Sequence, residues 1–237
     1  MNKKENKKKR PRVFVLIPVL NEEESIGVVM DDIPKDIVTE IVVIDNGSTD
    51  NTVEAAANHG ATVLTERERG YGHALMKGIN YISPFEPDIL VFLDGDYSDH
   101  PEELPRVVQP IVEEGYDLVI GSRVLGEREK GALLPRARFG NWLSAMLIKL
   151  FWGYSFTDLG PFRAIRFDKF QVLKMKELTY GWTVEMQIKA AKKKYKCTEV
   201  PVSYRKRIGE SKVTGSVSGS VKAGMGILRT IFVSLFK

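Results

Sequence analysis

The chain has 237 residues, 43% of them hydrophobic and 28% charged, enough to build a sizeable soluble core. Its one cysteine, Cys197, excludes a disulfide framework and a cysteine-based metal site and favours a reducing compartment. The net charge of +4 is uneven: the first twelve residues, MNKKENKKKRPR, carry +6, so the other 225 sum to −2.

The basic character therefore belongs to a tail, not to the fold. It reads as a solvated end that can also draw the chain to an anionic membrane surface. No interleaved aromatics or reading motif points to nucleic acid. No segment reaches transmembrane length, and no small-residue cleavage site follows the short apolar run VFVLIPVL (13–20).

In chain order, VFVLIP (13–18) predicts a strand. Asn21 follows as a helix cap, with Glu24 at capping-box spacing. EIVVID (40–45) predicts a second strand, the turn NGSTD and a helix over 52–59. ATVLT (61–65) predicts a third strand. The Gly-rich ERGYG then opens a helix over 73–82. DILVFLD (88–94) predicts a fourth strand, with a helix from about Pro101, and YDLVIGS (116–122) a fifth. Near-continuous apolar strands alternating with helices indicate a mostly parallel sheet covered on both faces, an α/β fold. Beyond it, 126–137 reads as loop, FGNWLSAMLIKLFW (139–152) as an apolar helix, and GWTVEMQIKAAKKK (181–194) as an amphipathic helix. CTEVPVSYRKR (197–207) alternates like a strand. The last stretch places Val221, Met225, Leu228, Phe232 and Leu235 on one helical face. There are no internal repeats. The division read is a basic tail over 1–12, a domain over 13–215 and an amphipathic helix over 216–237.

The chemistry gathers in LVFLDGDYSDHP (90–101). Ligands of open α/β sheets bind beyond the carboxyl ends of the strands, and Asp45 and Asp94 both stand at such ends. Asp94 and Asp96 are two apart, so extended backbone points both side chains one way. Two convergent carboxylates with an open side suit Mg²⁺ or Mn²⁺ together with phosphate oxygens. Asp99 reads as a cap for the helix near Pro101. Asp45 can accept a hydrogen bond from a nucleoside. Arg69, Gly70 and Gly72 precede a helix whose N-terminus favours an anion.

PVLNE, VIDNGSTD, RGYGHALMKGI, FLDGDYSDHP and IGSR occur in the order seen in inverting GT-A glycosyltransferases of family two, which the chain resembles from Val13 to about Gly215. TDLGPFRAIR, GWTVEMQIKAA and YRKRIGESK are similar to the branch of dolichyl- and polyprenyl-phosphate sugar transferases. The resemblance implies a Rossmann-like GT-A fold, a nucleotide-sugar donor, a metal on Asp94 and Asp96, and transfer with inversion to a lipid phosphate. The two apolar helices, 139–152 and 221–236, with the basic tail add a peripheral position at the cytoplasmic face of a membrane, and leave room for a membrane-anchoring partner subunit.

Carried over by position, Pro18, Glu22 and the Asp45–Asn46 turn line the nucleotide site. Arg123 and Arg138 grip the acceptor phosphate, and Arg207, Ser211 and Lys212 touch the diphosphate or acceptor. Glu185 falls at or near the place of a base, against a bland reading as a polar position of an amphipathic helix. Asp158 is a second acid facing the acceptor, or else a structural hydrogen-bonding residue. The chain departs from the family pattern in three places. Leu20 replaces an aromatic. Asn46 replaces the second acid of a DD pair, which leaves UDP- and GDP-sugars both open. Asp99 replaces a His of some dolichyl-phosphate mannose synthases, whose near match suggests mannose. Two alternatives stand beside the lipid-phosphate reading: a soluble transferase using Glu185 as base on an alcohol, and a non-catalytic nucleotide-sugar-binding subunit.

Overall fold

Alternate residues of the central strands go to opposite sides. Phe14, Leu16, Val42, Ile44, Leu90 and Phe92 pack into one buried layer, and Val13, Val15, Ile17, Val43, Val91 and Leu93 into the other. This period of two, with both sides apolar, builds a sheet that must be covered twice. The computed structural model describes residues 10–211 and 217–236, so most of the basic tail and Lys212 lie outside the described residues.

The strands are β1 Val13–Val19, β2 Glu40–Asp45, β3 Thr62–Thr65, β4 Ile89–Phe92, β5 Leu118–Ser122, β6 Arg163–Arg166 and β7 Cys197–Pro201. They form one sheet in the order β3-β2-β1-β4-β6-β5-β7. All neighbouring pairs are parallel except those of β6, which runs antiparallel to both β4 and β5. Helices α1 Ile26–Asp32, α2 Thr52–Asn58 and α4 Leu104–Glu114 cover one face. The other carries α3 Tyr71–Ile82, α5 Pro135–Trp152, α6 Phe167–Leu173 and α7 Trp182–Lys192, with α8 Val217–Leu235 packed on α5 and α7.

The α/β architecture and six of its seven strands match the sequence reading. β6 and α6 were not anticipated. RAIR puts arginine at both ends of a four-residue strand, which hides its apolar centre. The fully buried Arg163 is accommodated because its guanidinium donates to the carbonyls of Leu159, Gly160 and Thr183. Two caps are corrected. Asn21 starts no helix: it sits at φ +54 and accepts a hydrogen bond from Thr49 N at 2.8 Å, while α1 begins at Ile26. Asp99 caps nothing, since the 3₁₀ turn Pro101–Glu103 follows His100 with no side-chain cap.

The predicted stripe on α8 points outward. Val221, Met225, Phe232 and Leu235 are exposed, and Leu228 is partly packed against the core. On neighbouring α5, Phe139, Trp142, Met146, Leu150 and Phe151 are exposed as well, and Phe151 meets Phe232 with ring centroids 6.4 Å apart. Among the described residues no helix is long and apolar enough to cross a membrane.

Candidate active site

The parallel strands β1, β2 and β4 all deliver their carboxyl ends to one rim. There the turn after β1 is fastened to the turn after β2: Asn21 N donates to Ser48 Oγ at 2.9 Å and Glu22 N to Thr52 Oγ1 at 2.8 Å. Asn46 fastens β2 to the loop before α3. Its amide donates to the Glu66 and Glu68 carbonyls and its Oδ1 accepts Gly70 N at 2.8 Å. Gly70 holds φ +151, and a Cβ there would lie 2.5 Å from the Leu178 carbonyl oxygen, so this turn requires glycine.

These fastenings enclose a cavity of about 340 Å³, a size suited to a small ligand. Nine of the expected residues line it: Pro18, Glu22, Asn46, Arg69, Gly70, Asp94, Asp96, Arg207 and Ser211. Among the other lining residues, sequence reasoning missed the three with polar side chains, Tyr71, Thr179 and Tyr180. Tyr71 stood in the quoted ERGYG, but nothing local told that its hydroxyl reaches Asp94 Oδ1, 3.1 Å away in the loop after β4.

The acids crowd. Asp94 keeps some exposure into the cavity, yet burial and then the neighbouring Asp96 push its pKa up to about 7, against the opposing pull of the Tyr71 bond, Arg123 and Arg207. Asp96 accepts from Ser98 N at 2.9 Å through Oδ1, and its Oδ2 lies 2.8 Å from Arg207 Nη1. The other terminal nitrogen of Arg207 lies 2.7 Å from Glu22 Oε1. Asp99 is buried with no hydrogen-bond partner on either carboxylate oxygen, and burial followed by Asp94 drives its pKa well above the usual range. Beneath them burial lowers the Arg163 guanidinium to about 10, leaving it still a cation at neutral pH.

This donor set fits a hard divalent cation. Asp94 is a strained acid with one oxygen bonded to Tyr71, and Asp96 already attracts a cation in Arg207. Among the described residues no three His, Cys, Asp or Glu side chains converge on one point. Two carboxylates are therefore the protein's offer, the usual case where water and substrate phosphate complete the shell.

The other expected residues fall elsewhere. Asp45 does not line the cavity. Its carboxylate accepts Gly47 N and Ser48 N at 3.1 and 2.9 Å and so braces the turn after β2. Asp158 is fully buried and grips Arg123 through Arg123 Nε and Nη2 at 2.8 and 2.7 Å. Burial alone would raise its pKa, but Arg123 outweighs that and holds it below the usual range. Asp158 thus orients Arg123, which also lies 5.0 Å over the Tyr204 ring, and is not an acid facing an acceptor. Arg138 lines a separate groove of about 790 Å³ beside α5, with Arg128, Lys149, Phe139 and Trp142.

Glu185 lines a third cleft, apart from Asp94. It accepts Lys176 N and Glu177 N at 2.9 and 2.8 Å and pairs with Lys189 Nζ at 2.8 Å. Its carboxylate fastens the 174–178 loop to α7.

A Rossmann-like sheet with an acid pair at the β4 rim is shared by several enzyme classes, so the wider sequence decides among them. The pattern of Glycosyl transferase family 2 matches residues 14–173. The chain belongs to this family. It is a glycosyltransferase with the GT-A fold. Among its relatives, a dolichyl-phosphate hexose transferase of Haloferax volcanii is 34% identical, over 87% of this chain and 88% of its own. An undecaprenyl-phosphate mannosyltransferase of Micrococcus luteus is 29% identical, over 88% and 90%. In fold the chain is similar to glucosyl-3-phosphoglycerate synthase from Mycobacterium tuberculosis, solved with Mn²⁺, UDP and glucosyl-3-phosphoglycerate. That match has a TM-score of 0.73 and 22% identity, over 95% of this chain and 80% of that one.

Proposed function

We propose that this glycosyltransferase moves a hexose, mannose as first choice, from a UDP- or GDP-sugar to a polyprenyl or dolichyl phosphate at the cytoplasmic face of a membrane. The observation that carries the choice of acceptor is the position of Glu185. An alcohol acceptor needs a base, and the acid expected to serve is spent on the Lys176 and Glu177 amides. A phosphate acceptor is already an anion and needs none.

The cavity at Asp94 and Asp96 takes the donor. Asp94 and Asp96 would hold a divalent cation, Mg²⁺ or Mn²⁺, which would supply positive charge for the departing diphosphate. Glu22, Asn46 and Arg69 shape the nucleotide end, and Arg207 offers a bidentate grip to phosphate oxygens. Arg123, held rigid by Asp158, presents a fixed cation toward the acceptor side. An acceptor phosphate oxygen attacks the anomeric carbon from the face opposite the diphosphate. The C–O bond to the diphosphate breaks, its electron pair leaves with the nucleoside diphosphate, and the anomeric centre inverts.

The neighbouring groove supports a lipid. Arg128, Arg138 and Lys149 stand over an apolar floor that includes Phe139 and Trp142, the last 57% exposed. Together with the outward stripe of α8 this makes an apolar face of the kind that lies in a membrane interface. The names of the Haloferax and Micrococcus relatives support the same acceptor class.

The test is transfer from a panel of labelled UDP- and GDP-sugars to a short polyprenyl phosphate, with Mn²⁺ or with EDTA. Metal-dependent, lipid-extractable label is expected from one donor. Donor binding with no lipid product from any sugar would overturn the acceptor assignment.

A further inference from the structure

Both oxygens of Asp96 have protein partners. Oδ1 takes the Ser98 amide, and Oδ2 takes Arg207 Nη1 at 2.8 Å. Arg207 Nη2 reaches Glu22 Oε1 at 2.7 Å, so one guanidinium spans an acid on the turn after β1 and an acid on the loop after β4. Its Nε, by contrast, is sealed from solvent and has no hydrogen-bond partner. Arg207 is thus held by charge at two of its nitrogens while a third donor goes unmet, a costly arrangement for a buried polar group.

The backbone that carries Arg207 is fixed independently of it. Arg205 N donates to Ser98 O at 2.9 Å and Ile208 N to Asp96 O at 3.0 Å. Ser203 N donates to Glu103 Oε2 at 2.7 Å, and Lys206 N to Glu129 Oε2 at 2.8 Å. The side chain can therefore leave Asp96 while the strap beneath it stays.

We propose that Arg207 and a divalent cation compete for the Asp96 carboxylate, and that a nucleoside diphosphate decides the competition for the cation by giving Arg207 another anion. This rests on the metal-dependent reading above. A guanidinium and a dication repel at one carboxylate, so the cation alone must break the Arg207–Asp96 pair and leave Arg207 with Glu22 as its one acid. A diphosphate supplies bidentate oxygen pairs that match the guanidinium fork and reach the unmet Nε. Cation and diphosphate then tighten each other's binding reciprocally. Arg207 is in this sense a positioning residue that keeps the cation site weak until the donor's diphosphate is present.

Free Mn²⁺ is followed by electron paramagnetic resonance during titration of the wild-type protein, R207Q and R207K, alone and with UDP or GDP, with circular dichroism to establish folding. In the wild type, one diphosphate tightens Mn²⁺ about tenfold or more. R207Q binds Mn²⁺ alone about fivefold tighter than the wild type, and most of the gain from the diphosphate is gone. R207K keeps the charge but cannot span Glu22 and Asp96, so it too binds Mn²⁺ alone more tightly, and it carries the comparison if R207Q fails to fold. Variants with wild-type affinity for Mn²⁺ alone and undiminished coupling overturn the inference and leave metal-dependent transfer standing. A wild-type protein that binds no Mn²⁺ even with UDP or GDP overturns both.

Discussion

Tyr71 Oη donates to Asp94 Oδ1 across 3.1 Å, tying the first residue of α3 to the acid loop that follows β4. The phenol stays neutral, because burial and then the Asp94 charge push its pKa well above the usual value. It therefore favours the ionised Asp94, the form a cation needs. Asp94 titrates at about 7, so Mn²⁺ affinity and turnover fall as the pH drops through that range. Y71F removes a bond that lowers the Asp94 pKa, so the midpoint of the pH profile moves upward. Turnover at pH 7 falls about tenfold, the worth of one hydrogen bond to a charged group. An unmoved midpoint in Y71F would show that the bond does not tune Asp94.

The same crowding has a cost in stability. The folded Asp94 has a raised pKa, so its favourable contribution is fully present below the ordinary carboxylate range near 4. That contribution is lost as the pH rises through about 7. In EDTA at pH 8, D94N should therefore melt a few degrees higher than the wild type, a gain of about 1 kcal/mol, while losing transfer. A lower Tm would mean that Asp94 is stabilising when ionised.

Arg123 and Asp158 make the opposite case, a buried pair whose members each need the other. D158A strands the Arg123 charge and should cost about 3–5 kcal/mol, readable in urea unfolding. Because the folded pKa of Asp158 is lowered, its contribution holds above the ordinary carboxylate value and is lost only as the pH falls below it. A loss in D158A of well under 1 kcal/mol would contradict the assignment of Asp158 as the residue that holds Arg123.

The exposed face of α5 and α8 offers a prediction free of stability effects. Trp142 and Leu150 point outward, so W142E with L150E should leave Tm within a degree or two, as surface changes usually do. The pair should abolish co-sedimentation with anionic vesicles. Vesicle binding unchanged from the wild type would remove this face from the membrane reading.

How much of this was legible beforehand depended on the range of the interactions. β1, β2 and β4 announce themselves because a strand buried on both faces is apolar along its length, and Asp94 and Asp96 follow from where β4 stops. Asn21 misled because a polar turn bonded to Thr49 uses the same residue types as a helix cap. Arg166 and Arg163 concealed β6 for a related reason, since the carbonyls that accept the Arg163 guanidinium come from 159, 160 and 183. Glu185 was placed correctly on its helix, but its partners are backbone amides of a loop eight or nine residues back, which no periodicity encodes. Tyr71 and Arg207 likewise act across 23 and 185 residues of sequence.

The central claim is transfer to a lipid phosphate by the acid pair without help from Glu185, and two variants test it together. Wild type, D96A and E185Q are given a labelled donor, a short polyprenyl phosphate and Mn²⁺, and the lipid extract is counted. E185Q should retain turnover within about threefold while unfolding about 1–3 kcal/mol more easily, since it weakens a cap on two amides. D96A should yield no lipid product. Product from D96A, or a fall of about a hundredfold or more in folded E185Q as loss of a general base would give, would contradict the account.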